Sequence, residues 1–172
     1  NFAKHGHKFT GAMRVLETIL RYEYLWTKIR IQGGAYGATA RFDSNGLGIF
    51  ASYRDPKLAE SFQAYYDLPA WLEKEEFSAR ELDKYVIGTI SGMDTPLTNT
   101  MRLDTVTTSW LKNITDEHRQ KSRNEVLDVT NEDLQALAPV IRDMLSDGYV
   151  CVVGGKQPIE ANAERFNKII NA

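Results

Sequence analysis

Two adjacent glycines, Gly33 and Gly34, divide a long helical pattern from a β-hairpin, and that boundary limits the fold more than any other feature. Before it, Ala12, Leu16, Ile19, Leu20 and Tyr24 recur at helical spacing from Thr10 to about Arg30. Met13, Val15, Leu25, Trp26 and Ile29 widen the stripe, so the helix is expected to be buried on more than one side. After the glycines, Tyr36, Ala38, Ala40 and Phe42 alternate on one face, and Leu47, Ile49, Ala51 and Tyr53 alternate on another. Asp43-Ser44-Asn45-Gly46 lies between them, and Asn-Gly is a tight-turn signal because both residues tolerate positive φ. Strands are therefore expected over residues 36–42 and 47–53.

The rest reads as mostly helical. Asp55 is placed as the cap of a helix with Pro56 at its first position, running to a break near Pro69. Ser78-Ala79-Arg80-Glu81 has the form of a capping box for a helix reaching residues 90–93. Thr95-Pro96 restarts a segment that ends near Leu111, and Thr115 and Thr130 cap two more helices, the last closed by Asp147-Gly148. Residues 149–153, Tyr-Val-Cys-Val-Val, read as a compact buried strand, and residues 158–170 as a final amphipathic helix. The fold class is α+β, with helices packed on one face of a mostly antiparallel sheet. Three strands are few for so much helix, so the sheet is expected to be incomplete: further strands come from additional sequence, or exposed edges need covering. Residues 1–172 are read as a single α+β domain. Asn1, in place of methionine, fits a piece cut from something longer.

Composition excludes several classes. Charged residues make up 26% and the net charge is −2 with both signs scattered, so no partner such as nucleic acid or an anionic membrane surface is expected. No apolar run approaches the roughly 20 residues that span a bilayer. A single cysteine, Cys151, excludes an internal disulfide and suits a reducing compartment. No metal site is expected. His5, His7 and His118 are the only histidines, and Glu117-His118 has Ile114 where an H-x-x-E-H motif needs its first histidine. His5-x-His7 has a possible ligand spacing, but nothing nearby in sequence completes a site. The glycine run follows a helix and precedes a strand, the reverse of a phosphate-binding loop, so nucleotide binding is rejected. There is no G-x-S-x-G elbow for a serine nucleophile.

Arg30 and Tyr36 remain, on either side of the glycines. Locally, Arg30 is a cation at a helix C-terminus and Tyr36 an aromatic residue opening a strand. The whole run Arg30-Ile31-Gln32-Gly33-Gly34-Ala35-Tyr36-Gly37, its following hairpin and Ser52-Tyr53-Arg54-Asp55-Pro56 together resemble a segment of the pitrilysin/insulinase family of zinc peptidases. These are the inverted zincins, and the likeness is greatest to the presequence-protease branch. It is specific from about Thr10 to Pro56. Val152-Val153-Gly154-Gly155-Lys156 is similar to that family's C-terminal strand and turn, though more generic.

The resemblance implies the C-terminal, substrate-contacting part of a zinc endopeptidase that degrades unstructured peptides. It also implies zinc bound outside this segment, in an N-terminal zinc-bearing half of the same protein that closes over the peptide substrate like a clamshell. Arg30 and Tyr36 would then steady the scissile carbonyl and the oxyanion that grows on it, and Gly33, Gly34 and Ala35 would let substrate approach. The segment alone is expected to be inactive. The alternatives are a non-catalytic scaffold or partner-binding subunit of the same family, and a self-sufficient α+β binding domain. A bacterial cytoplasm is the expected location, with a mitochondrial or other organelle matrix as the alternative.

Overall fold

A computed structural model describes residues 1–170. A 3₁₀ turn, Phe2–His5, leads into helix α1 (Gly11–Tyr22), a π-helical segment (Trp26–Gln32) and the hairpin strands β1 (Gly37–Phe42) and β2 (Gly48–Tyr53). Helices α2 (Leu58–Leu72), α3 (Ala79–Met93), α4 (Asn99–Leu111), α5 (Asp116–Leu127), α6 (Asn131–Gln135), α7 (Ala138–Ser146) and α8 (Lys156–Glu160) follow, with a 3₁₀ turn at Ala163–Arg165.

The core is built around α1. Val15, Leu16, Ile19 and Leu20 are fully buried, and the helix touches β1, α3, α5 and α6. That agrees with the wide apolar stripe, since a helix hydrophobic on several faces needs neighbours on several sides. The strands pair antiparallel from Gly37↔Tyr53 to Phe42↔Gly48. Ala40, Phe42 and Phe50 face the helices, with Phe50 stacked on Tyr65 of α2 at 5.4 Å. Ile49, Ala51 and Tyr53 lie on the opposite, open face. In the turn only Gly46 adopts positive φ, at 86°, because the Asp43 carboxylate accepts the amides of Asn45 and Leu47 and holds the loop.

The single helix expected from Thr10 to Arg30 is instead two pieces. Glu23 leaves helical geometry at φ −115°, ψ −81°, and the chain resumes as a π-helix. Burial of Tyr24 accompanies this break: its hydroxyl donates to the Ala64 carbonyl at 2.7 Å, and burial pushes its pKa up to about 12. Thr10 stands at the N-cap without a side-chain bond; the Gly11 amide donates to the Glu125 carboxylate at 3.1 Å instead.

The capping boxes at Ser78, Thr115 and Thr130 all form. The helix that Thr130 opens stops after Gln135, because Pro139 offers no N–H to the carbonyl four residues before it. Pro69, expected to break a helix, sits inside α2 near its end, where only the last turn loses a bond while Leu68 and Leu72 stay buried. That helix begins at Leu58 and not at Pro56; Asp55 serves it by accepting the Lys57 amide at 3.0 Å.

Two expectations fail. Among the described residues, 149–153 pair with no other segment and form no third strand, and Tyr149 and Val153 are 78% and 96% exposed. A strand needs a neighbour's backbone within hydrogen-bonding distance, and no described residue offers one. In place of a helix over residues 158–170 there are the short α8 and the 3₁₀ turn, neither burying any residue; so short a helix has little to hold it without packing.

Glu17 of α1 accepts the Phe42 amide on the outer edge of β1, and partial burial raises its carboxyl pKa above the ordinary 4.5. The folded state therefore holds this proton more tightly, so Glu17 lowers stability as pH rises through the region above 4.5. Glu17→Gln should flatten that part of a stability-versus-pH curve, measured by urea denaturation. Leu16→Ala should cost about 2–5 kcal/mol in the same assay, as removal of a fully buried leucine does.

Candidate functional site

The site lies where the π-helical segment hands over to β1. Gly33 is buried, and a Cβ there would meet the Ile29 carbonyl oxygen at 2.4 Å, so the backbone passes only because the side chain is missing. Gly34 then takes φ 83°, a region that favours glycine. Its amide bonds back to the Arg30 carbonyl at 3.0 Å, and the Ala35 amide to the Ile29 carbonyl at 3.1 Å. The Tyr36 amide joins the Tyr53 carbonyl at 3.0 Å, so the sheet begins at once.

This turn brings Arg30 and Tyr36 together. The Arg30 guanidinium donates to the Tyr36 carbonyl and lies 4.6 Å from the centre of the Trp26 ring and 5.7 Å from that of Tyr36. Tyr36 meets Tyr53 edge to face at 5.9 Å, and the Arg54 guanidinium lies 5.9 and 5.4 Å from the two tyrosine rings. Arg54 reaches them from a left-handed backbone, φ 49°. Tyr36 is 65% exposed, and its hydroxyl has no hydrogen bond among the described residues. Of the expected approach surface, Gly34 is exposed while Gly33 and Ala35 are buried beneath it.

Trp26 and the paired contribution of Tyr53 and Arg54 were not legible as site residues. Trp26 precedes Arg30 by four residues, a spacing that places neighbours on one helix face, and this was the available signal. Tyr53 is cross-strand from Gly37, which only the register reveals.

The histidines go elsewhere. His5 contacts Asp147 at 3.2 Å, His7 contacts Asp143 at 2.7 Å, and His118 closes the capping box on Thr115. Among the described residues no group of three or more His, Cys, Asp and Glu side chains could hold a metal ion. The residues here thus do not fit a zinc site. A cleft of about 910 Å³ is lined by His7, Gly11, Glu117, Glu125 and Asp128 among others and includes neither Arg30 nor Tyr36. No helix among the described residues is long and apolar enough to cross a membrane.

A family described as the PreP C-terminal domain matches residues 1–156. The chain belongs to that family. It is 38% identical to Protein HypA of Clostridium perfringens over 98% of the chain, and 30% identical to presequence protease 1, chloroplastic/mitochondrial, of Arabidopsis thaliana over 97%. It is 33% identical to the mitochondrial presequence protease of Emericella nidulans over 88%. The chain spans only 17%, 16% and 14% of those three relatives' lengths.

The helix-to-strand junction of this chain gives a direct stability test. Gly33→Ala should cost roughly 1–3 kcal/mol, since the new methyl strikes a backbone carbonyl. Gly37→Ala, which would meet nothing within 4 Å, should stay within about 0.5 kcal/mol. Equal urea midpoints for the two variants would contradict this account of the turn.

Proposed function

We propose that residues 1–172 are one domain, the C-terminal, non-zinc and substrate-contacting domain of a zinc-dependent endopeptidase that degrades unstructured peptides. The observation that carries this reading is the pairing of Arg30 with Tyr36 on an exposed, glycine-built turn, in a chain of this family. The names of the Arabidopsis and Emericella relatives, presequence proteases, support the peptidase assignment. Zinc would be held outside these residues, by an N-terminal half of the same polypeptide.

The chemistry required of this domain is hydrogen-bond donation. Attack on a peptide carbonyl puts negative charge on its oxygen, and donors already aimed at that oxygen are worth about 2.7–4 kcal/mol each. Arg30 has five N–H donors in a planar fork, so one can hold the Tyr36 carbonyl while others reach substrate. The Tyr36 hydroxyl is a second donor, free to turn towards the same oxygen. The indole of Trp26 stacks against Arg30 and limits where the guanidinium can go, which is the form that preorganisation takes here. Gly34 presents bare backbone to an incoming peptide, with Gly33 and Ala35 shaping the turn from beneath. These donors would meet substrate only when the two halves close, so closure gates the reaction. The setting we propose is a bacterial cytoplasm, with an organelle matrix as the alternative.

Arg30→Ala and Tyr36→Phe in the full-length protein should each lower kcat/KM on an unstructured peptide by roughly ten-fold or more. Zinc content, measured on the same samples, should not change. Unaltered turnover in both variants would sink the assigned roles.

A further inference from the structure

Arg54 has no part in the chemistry assigned to Arg30 and Tyr36, yet it stands in the same cluster. Its guanidinium lies 5.9 Å from the centre of the Tyr36 ring, which Arg30 approaches at 5.7 Å. Its second neighbour is the Tyr53 ring, at 5.4 Å. The backbone sets this up: β2 ends at Tyr53, and Arg54 takes φ 49° before the chain enters α2. Asn113 also has a positive φ, but asparagine tolerates that region and arginine does so poorly. An exposed guanidinium over a tyrosine ring stabilises a fold only slightly. The ring contacts alone therefore do not account for an arginine where glycine or asparagine would sit relaxed.

The turn that follows β2 lies alongside the glycine turn. A Cβ on Gly34 would meet Pro56 Cγ at 3.6 Å, and the Lys57 ammonium donates to the Gln32 carbonyl at 3.3 Å. A peptide passing over the bare backbone of Gly34 therefore passes this second turn as well. The positive charge there is uncompensated. No ion pair among the described residues includes Arg30 or Arg54. Asp55, next to Arg54, is turned to the start of α2, where it accepts the Lys57 amide at 3.0 Å. Two guanidinium groups thus flank one tyrosine ring, with no carboxylate paired to either. The exposed Arg54 fork keeps its N–H groups for a planar carboxylate, whose geometry it matches.

We propose that Arg54 is a specificity-determining residue of this site, pairing with a carboxylate of the peptide substrate close to the bond that is cut. The inference rests on the peptidase reading above. Extended peptide rises about 3.3 Å per residue, so groups within about two residues of a carbonyl held at Arg30 and Tyr36 come within reach of Arg54. The carboxylate belongs to an aspartate or glutamate side chain, or to the free C-terminus of a peptide cut near its end. Both present the same two oxygens. A lysine or arginine at that place is disfavoured for the converse reason, since it meets two cations with no acid between them. The left-handed backbone at Arg54 then has a use: some stability is given up to aim one side chain.

The test uses the full-length protein and two pairs of unstructured peptides, with cleavage points mapped by mass spectrometry. One pair differs as glutamate or glutamine within about two residues of the cut, the other as a free or amidated C-terminus near it. At least one pair should differ roughly ten-fold in kcat/KM in favour of the carboxylate, through KM, and the pair that does so names the source. Arg54→Gln should bring that ratio to about 1, and Arg54→Lys, which keeps the charge, should retain part of it. Arg54→Gly is the folding control. It suits φ 49°, so its urea midpoint should be no lower than that of Arg54→Gln while the ratio is lost equally. Equal treatment of both pairs by the unaltered protein would overturn the proposal. So would an unchanged ratio in Arg54→Gln, even with both peptides slowed, because Arg54 would then only prop Tyr36. If Arg30→Ala and Tyr36→Phe slow turnover while the Arg54 ratio stays put, this inference alone fails. If those two variants change nothing, the site reading fails and takes this inference with it.

Discussion

The passage of the Gly33 backbone against the Ile29 carbonyl is the contact on which the site depends. With no side chain there, the chain can end a π-helical turn, reverse at Gly34 and enter β1 at Gly37. Any side chain would push helix and strand apart, and Arg30 and Tyr36 would separate with them. The wider π-helical winding belongs to the same device. It places Trp26 beneath Arg30 and leaves the guanidinium facing a strand in place of solvent alone. Irregular turns of this kind often mark functional positions, because a regular helix would have aimed these groups elsewhere.

The second constraint is the mismatch between helices and sheet. α1 is buried by neighbours on several sides, as a core element should be, yet the sheet has two strands and one open edge. Tyr149, Cys151 and Val153 stay exposed, and the outer edge of β2 bonds no other segment among the described residues. On the β1 edge, α1 packs close and its Glu17 carboxylate accepts the Phe42 amide.

Local signals in the sequence were reliable wherever the deciding groups were close neighbours. The capping box expected at Ser78 and the caps expected at Thr115 and Thr130 formed because cap and partner are three residues apart. The hairpin formed where alternation and Asn45-Gly46 placed it, although the Asp43 side chain took part of the turn's work from Asn45. The failures came where a distant partner decides. Among the described residues, 149–153 have strand composition but pair with no strand, and the apolar residues of 158–170 are at most half-buried, too little to hold a long helix. Pro69 lies in a helix whose buried neighbours hold it together despite a missing donor.

The amino-acid sequence alone determined that a long buried helix, two glycines and a hairpin follow in order, and that Arg30 and Tyr36 flank the glycines. These are matters of periodicity, backbone freedom and short spacing. Only the tertiary structure decided that the helix would be interrupted at Glu23, with Tyr24 turned into the core against Ala64. It alone set Trp26, Tyr53 and Arg54 around the same pair, through helical winding and strand register. The reason is physical: a periodic pattern states which side of an element is apolar, but what that side meets, and which ring comes to lie beside which cation, depends on residues brought from far along the chain.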